Sequence, residues 1–119
     1  MGFVTAEVWV HNPSDMERAV EVEFLVDTGA IYSLMPEGKL KEIHVEPRGT
    51  RKFRQASGRA ITRPVGEARF RYGEYEGISP VIFGRKNDKP LLGVVTLEVL
   101  GLEVDPVSRT LKPTPLLLL

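Results

Sequence analysis

The run Phe24-Leu25-Val26-Asp27-Thr28-Gly29-Ala30 constrains this chain more than any other stretch, because an apolar strand there ends abruptly in Asp-Thr-Gly. A carboxylate placed directly after buried-type residues carries a desolvation cost, so it needs a partner or a task. Asp27 is therefore the first candidate for chemistry. Thr28 adds a short hydroxyl able to bond nearby backbone, and Gly29 lets the main chain turn sharply and approach other backbone closely. Such a loop can hold a carboxylate rigidly at a surface.

The segments around it read as short strands. Phe3 to Val10 alternates, with Val4, Ala6, Val8 and Val10 on one face and Phe3, Thr5, Glu7 and Trp9 on the other. His11 to Asp15 has turn chemistry, and Val20, Val22, Phe24 and Val26 resume the period of two, so an antiparallel hairpin delivers Asp27 to its end. Ile31 to Met35 reads as a buried strand and Glu37 to Ile43 as one or two helical turns after Pro36. Phe53 to Thr62 reads as a hairpin with Ser57-Gly58 at its tip. The basic run Arg48, Arg51, Lys52 and Arg54 is read as a solvated strand face, since acidic residues flank it.

Further on, Glu67 to Tyr72 and Ile78 to Phe83 are strands, with Pro80 marking an edge or bulge. Leu91-Leu92 is a buried strand, Val95 to Leu100 a short helix closed by Gly101, and Leu102 to Lys112 a last hairpin. Pro113 and Pro115 oppose further sheet pairing. Many short strands with close turns predict a closed or sandwiched all-β domain. At 119 residues the chain fits one domain over 1–119, with an apolar run within 113–119, and is too short for two lobes that each carry an aspartate loop.

Two segments together carry a family resemblance. Val26-Asp27-Thr28-Gly29-Ala30 resembles the active-site loop of the retroviral-type (retropepsin-like, clan AA) aspartic peptidases. Pro90-Leu91-Leu92-Gly93, followed by Val94 to Gly101 and Leu102-Glu103-Val104-Asp105-Pro106, is similar to that family's hydrophobic-hydrophobic-Gly segment, short helix and final strand in small microbial members. The resemblance implies a closed β-barrel acid-protease fold with one short helix near the C-terminus. It also implies a homodimer in which each subunit donates one catalytic Asp27, supported by Thr28, Gly29 and Ala30.

By the same resemblance Ala56, Ser57, Gly58 and Arg59 belong to a flap over a bound polypeptide; the apolar residues expected near that cleft, Ile31, Tyr32, Ala56, Val81, Leu91 and Val94, suggest pockets for an extended apolar peptide. The chain departs from the viral pattern at two places. Ile31 and Tyr32 stand where an acidic residue helps to clamp substrate backbone, and Val94 stands where an arginine supports the dimer; small microbial members share these apolar substitutions. The competing reading is a non-catalytic dimerisation or peptide-binding module that keeps the fold. A ligand-free monomeric barrel is a third.

Composition narrows the remaining classes. Sixteen basic and sixteen acidic residues cancel, so overall charge indicates neither nucleic acid nor an anionic membrane as partner. The absence of cysteine excludes disulfides, thiolate zinc sites and thiol nucleophiles, and fits a cytoplasmic location. The N-terminus lacks a signal pattern, and Leu116 to Leu119 is too short to span a bilayer. Those leucines are expected to pack on a partner subunit or to enter a substrate cleft. His11 and His44 lack ligand spacing, so no metal or other cofactor is expected. Ser33 and Ser57 have no nucleophile-elbow context, and Trp9 with Phe3 is read as core or dimer contact.

Overall fold

A computed structural model of the protein describes residues 3–115; the expectations for Leu116 to Leu119 lie outside them. Strands β1 (Thr5–Asn12) and β2 (Asp15–Val26) form the first hairpin, turning at Pro13-Ser14. Their alternation is realised as read. Ala6, Val8, Val10, Val22 and Phe24 are buried, while the intervening Glu7, Glu21 and Glu23 face solvent.

Next come β3 (Ser33–Pro36), helix α1 (Glu37–Glu42), β4 (Gly49–Arg54), β5 (Ala60–Tyr72) and β6 (Tyr75–Gly84). The chain then forms β7 (Leu91–Leu92), α2 (Val94–Leu100), β8 (Leu102–Asp105) and β9 (Thr110–Pro113). Helix α2 ends at Gly101, which takes the left-handed conformation (φ 71°) that a side chain would disfavour there.

The main sheet runs β1-β2-β7-β3-β6-β5-β4 and closes on itself, because β5 also pairs with β1 through Trp9↔Arg71, Val10↔Phe70 and His11↔Arg69. Six strands thus make the ring expected of a closed barrel. Strand β4 lies outside it, paired only with the first half of β5, from Gly49↔Val65 to Arg54↔Ala60. Inside the ring Phe24 and Phe70 meet with ring centroids 5.9 Å apart, beside fully buried Met35, Leu40, Val81 and Leu92. Each such side chain contributes about 1.5–3 kcal/mol by leaving water.

Four expectations are corrected. The strand at Ile31 to Met35 begins only at Ser33. The carbonyls of Ala30 and Ile31 instead accept the N–H groups of Val94 and Val95 (2.9 and 3.0 Å), which satisfies the start of α2 and leaves Ile31 66% exposed. Pro113 does not stop the last hairpin, for β9 includes it opposite Leu102. Pro80 lies inside β6, but just before the Val81–Gly84 segment that pairs with β3, so β3 requires no donor from it. Of the two readings of Trp9 with Phe3, core is ruled out: Trp9 is 37% exposed with the Arg71 guanidinium 5.9 Å from its ring centre, and Phe3 is 82% exposed, which leaves dimer contact as the reading.

Candidate active site

Asp27 is the first residue past β2, and three backbone connections hold it there. Leu25 and Val26 pair in parallel with Leu91 and Leu92 of β7, and the Asp27 N–H donates to the Leu92 carbonyl at 3.0 Å. The Asp27 carbonyl accepts the Ala30 N–H (3.1 Å), and its carboxylate Oδ1 accepts the Gly29 N–H (2.9 Å). This is a tight Asx turn, the geometry that Asp followed by a flexible residue favours. A Cβ at position 29 would sit 3.2 Å from that same Oδ1, so glycine there leaves the carboxylate its room. Asp27 is half-buried, Thr28 and Gly29 are exposed, and Asp27 takes part in neither of the ion pairs formed among the described residues.

The loop is braced from below by Gly93. A side chain there would fall 2.6 Å from the Tyr32 carbonyl carbon and 2.8 Å from the Ile31 oxygen, so only glycine allows the two backbones to touch. The Gly93 N–H donates to Ser33 Oγ at 3.0 Å. Ser33 Oγ in turn bonds Thr96 Oγ1 (2.5 Å), which bonds Ser79 Oγ (2.8 Å), and all three hydroxyls are fully buried. This trio links β3, α2 and β6 directly beneath the aspartate loop. Sequence reading missed it, having weighed Ser33 only as a nucleophile. The available signal was three hydroxyl residues at otherwise apolar positions of buried elements.

On the other side of the loop stands the hairpin of β4 and β5. Its tip turns at residues 55–59, with Gly58 at φ 88° and the Gln55 N–H donating to the Arg59 carbonyl. The hairpin leans on Tyr32: the Phe53 ring meets Tyr32 edge-on at 6.1 Å, and Arg51 donates to the Tyr32 hydroxyl at 2.7 Å with its guanidinium 5.5 Å from the ring centre. Between hairpin and barrel lies a groove of about 660 Å³. Leu25, Leu34, Ile82 and Leu91 supply apolar surface on the barrel side, and Phe53 and Ile61 on the hairpin side.

The residues singled out in the sequence are therefore distributed unevenly. Asp27, Thr28, Gly29, Ala30, Ile31 and Tyr32 share one loop, Leu91 lines the groove, and Ala56, Ser57, Gly58 and Arg59 form the hairpin tip, with Arg59 reaching the groove. Val81 does not serve as a pocket residue, since it is fully buried in the core; its neighbour Ile82 faces the groove instead. Val94 begins α2 behind the loop and does not line the groove. The basic run is solvated as read: Arg48, Arg51, Lys52 and Arg54 are all exposed, with Arg48 paired to Glu67 at 3.2 Å and Arg51 donating to the Tyr32 hydroxyl.

His11 Nδ1 contacts the Met16 carbonyl and His44 Nε2 the Arg18 guanidinium, and no group of three or more possible metal ligands occurs among the described residues. No helix among them is long and apolar enough to cross a membrane.

The site is thus a closed barrel whose Asp-Thr-Gly turn follows β2 and is bonded to β7, with a hairpin standing beside it. The sequence profile described as gag-polyprotein putative aspartyl protease matches residues 16–99, more than half of the chain, and the protein belongs to that retropepsin-like family. Solved structures share the fold. The protease of simian foamy virus (mac) is 16% identical, with 77% of this chain and 91% of that one covered at a TM-score of 0.52. A retropepsin-like aspartic protease from Rickettsia conorii is 20% identical over 87% of this chain and 85% of that one, TM-score 0.52. The foamy viral protease-reverse transcriptase, solved with an RNA/DNA hybrid, is 18% identical over 89% of this chain but only 14% of its own length, TM-score 0.57. Comparison with curated proteins gave no match.

Proposed function

We propose that the protein is a homodimeric aspartic endopeptidase in which Asp27 of two copies activates one water against a peptide bond. The observation that carries this reading is the fixed, half-buried Asp27 carboxylate at the tip of an exposed Thr28-Gly29 turn, two residues beyond Leu25, which lines an open groove between barrel and hairpin. Hydrolysis of an amide needs a base for the water and an acid for the departing nitrogen. Two carboxylates brought together cannot both ionise, so one shared proton supplies both roles, as in the aspartic peptidases. One chain holds one such loop; a second copy completes the pair.

Asp27→Asn keeps the shape of the turn and removes the base. Cleavage of an unstructured protein from acidic to neutral pH is expected to fall by at least about a hundredfold in this variant, with circular dichroism unchanged. Equal cleavage by a folded Asp27→Asn protein would falsify the mechanism.

A further inference from the structure

The groove lined by Leu25, two residues before Asp27, is apolar along its floor but cationic at its rim. Arg59 and Arg63 reach it from the hairpin, and Arg85 and Lys89 from the loop between β6 and β7. One acidic side chain, Asp88, lies among them, and its Oδ2 is held by the Arg85 backbone N–H at 2.7 Å. The two ion pairs formed among the described residues, Arg18–Asp15 and Arg48–Glu67, involve none of these four cations. Four positive charges thus line a part-enclosed space with one carboxylate to offset them.

The hairpin register sharpens the point. Arg51 and Arg63 sit directly opposite each other across β4 and β5, an arrangement in which like charges repel. Arg51 turns to the Tyr32 hydroxyl and ring, whereas Arg63 stays at the groove with Ile61 and Phe53 on the same hairpin face. Among the described residues Arg63 takes part in neither ion pair, which leaves its guanidinium available to an anion arriving from outside. The overall charge balance conceals this, because the acidic residues that cancel it, such as Glu7, Glu21 and Glu23, project from β1 and β2.

We infer that the groove selects extended polypeptide carrying Asp or Glu beside an apolar residue. The apolar side chain lies on Leu25, Leu34 and Leu91, next to Asp27 in the strands, and the carboxylate is taken by Arg59, Arg63, Arg85 and Lys89. Guanidinium forks suit carboxylates in this role, and a strip of leucines suits peptide side chains better than a sugar-phosphate backbone. This specificity rests on the peptidase reading above for its chemistry, though not for its binding.

Binding and cleavage are therefore measured separately, with matched fluorescent peptides whose leucine core is flanked by Glu, by Gln or by Lys. Binding is read by anisotropy on folded Asp27→Asn protein. The Glu peptide is expected to bind at least about tenfold more tightly than the Gln peptide, and the Lys peptide more weakly still. The Glu–Gln gap is expected to shrink as salt rises, and to fall below about twofold in the Arg63→Gln/Arg85→Gln protein. Equal binding of Glu and Gln peptides, no binding of any, or a gap that survives the double substitution overturns the inference. So does a single-stranded oligonucleotide that displaces the Glu peptide at lower concentration than the peptide itself. Acid-selective binding without cleavage by wild type upholds this inference and removes the peptidase; cleavage indifferent to Glu or Gln does the reverse.

Discussion

Thr96 is a single hydroxyl on which two others depend. It lies between Ser33 and Ser79; Ser33 also receives the Gly93 N–H beneath the aspartate loop, and Ser79 also donates to the Pro80 carbonyl at 3.2 Å. Thr96→Val keeps the shape and removes the shared partner, leaving buried hydroxyls short of a bond. The expected loss is about 1–3 kcal/mol in urea unfolding, and a stability within error of wild type would show the trio to be dispensable. Asp105 is a second residue with a readable role. The backbone N–H groups of Val107 and then Ser108 hold its carboxyl below its ordinary value of 3.8 while it caps the β8–β9 turn. Its folded form thus prefers the charged state more than its unfolded form does. The stability it contributes is present above the unfolded value and is lost as pH falls through the lower folded value. Melting temperatures recorded between about pH 5 and about pH 1 should fall less steeply for Asp105→Asn than for wild type; parallel curves would contradict this.

At the scale of elements, the contact of Tyr32 with Phe53 and Arg51 joins the aspartate loop to the β4–β5 hairpin. Tyr32→Ala removes both contacts. Amides of β4 are then expected to exchange with solvent about two- to tenfold faster, with the barrel amides unchanged. Unchanged exchange in β4 would mean that the hairpin stands without this support. How legible these elements are in the sequence depends on what holds them. The β1–β2 hairpin and helix α2 follow from local periodicity and a C-terminal glycine, and both are found where the pattern puts them. Ile31-Tyr32 reads as strand because both are apolar and β-prone, but the carbonyls of Ala30 and Ile31 are claimed by Val94 and Val95, more than sixty positions away in sequence. No local rule contains that bond. Val81 fails as a pocket residue for a related reason: alternation says that it and Ile82 face opposite ways, but not which way faces the groove. The Asp-Thr-Gly turn itself is legible because its geometry is set within four residues.

At the scale of the whole molecule, Thr28, Gly29 and Ile31 lie exposed around a half-buried Asp27, and the dimer proposed above buries this face. Ile31→Glu places a charge there. Sedimentation equilibrium is expected to show wild-type dimers and a shift of the variant toward monomer, with peptide cleavage reduced at least about tenfold. Wild-type protein that is monomeric at concentrations where it cleaves would exclude a shared site. The ring of six strands closes through β1 and β5 without help from β4, which hangs on one neighbour alone. Admission of a long ligand therefore requires no breach of the scaffold. Shortening or grafting the overhanging arm is therefore expected to change selectivity while the wall behind it keeps its pairing.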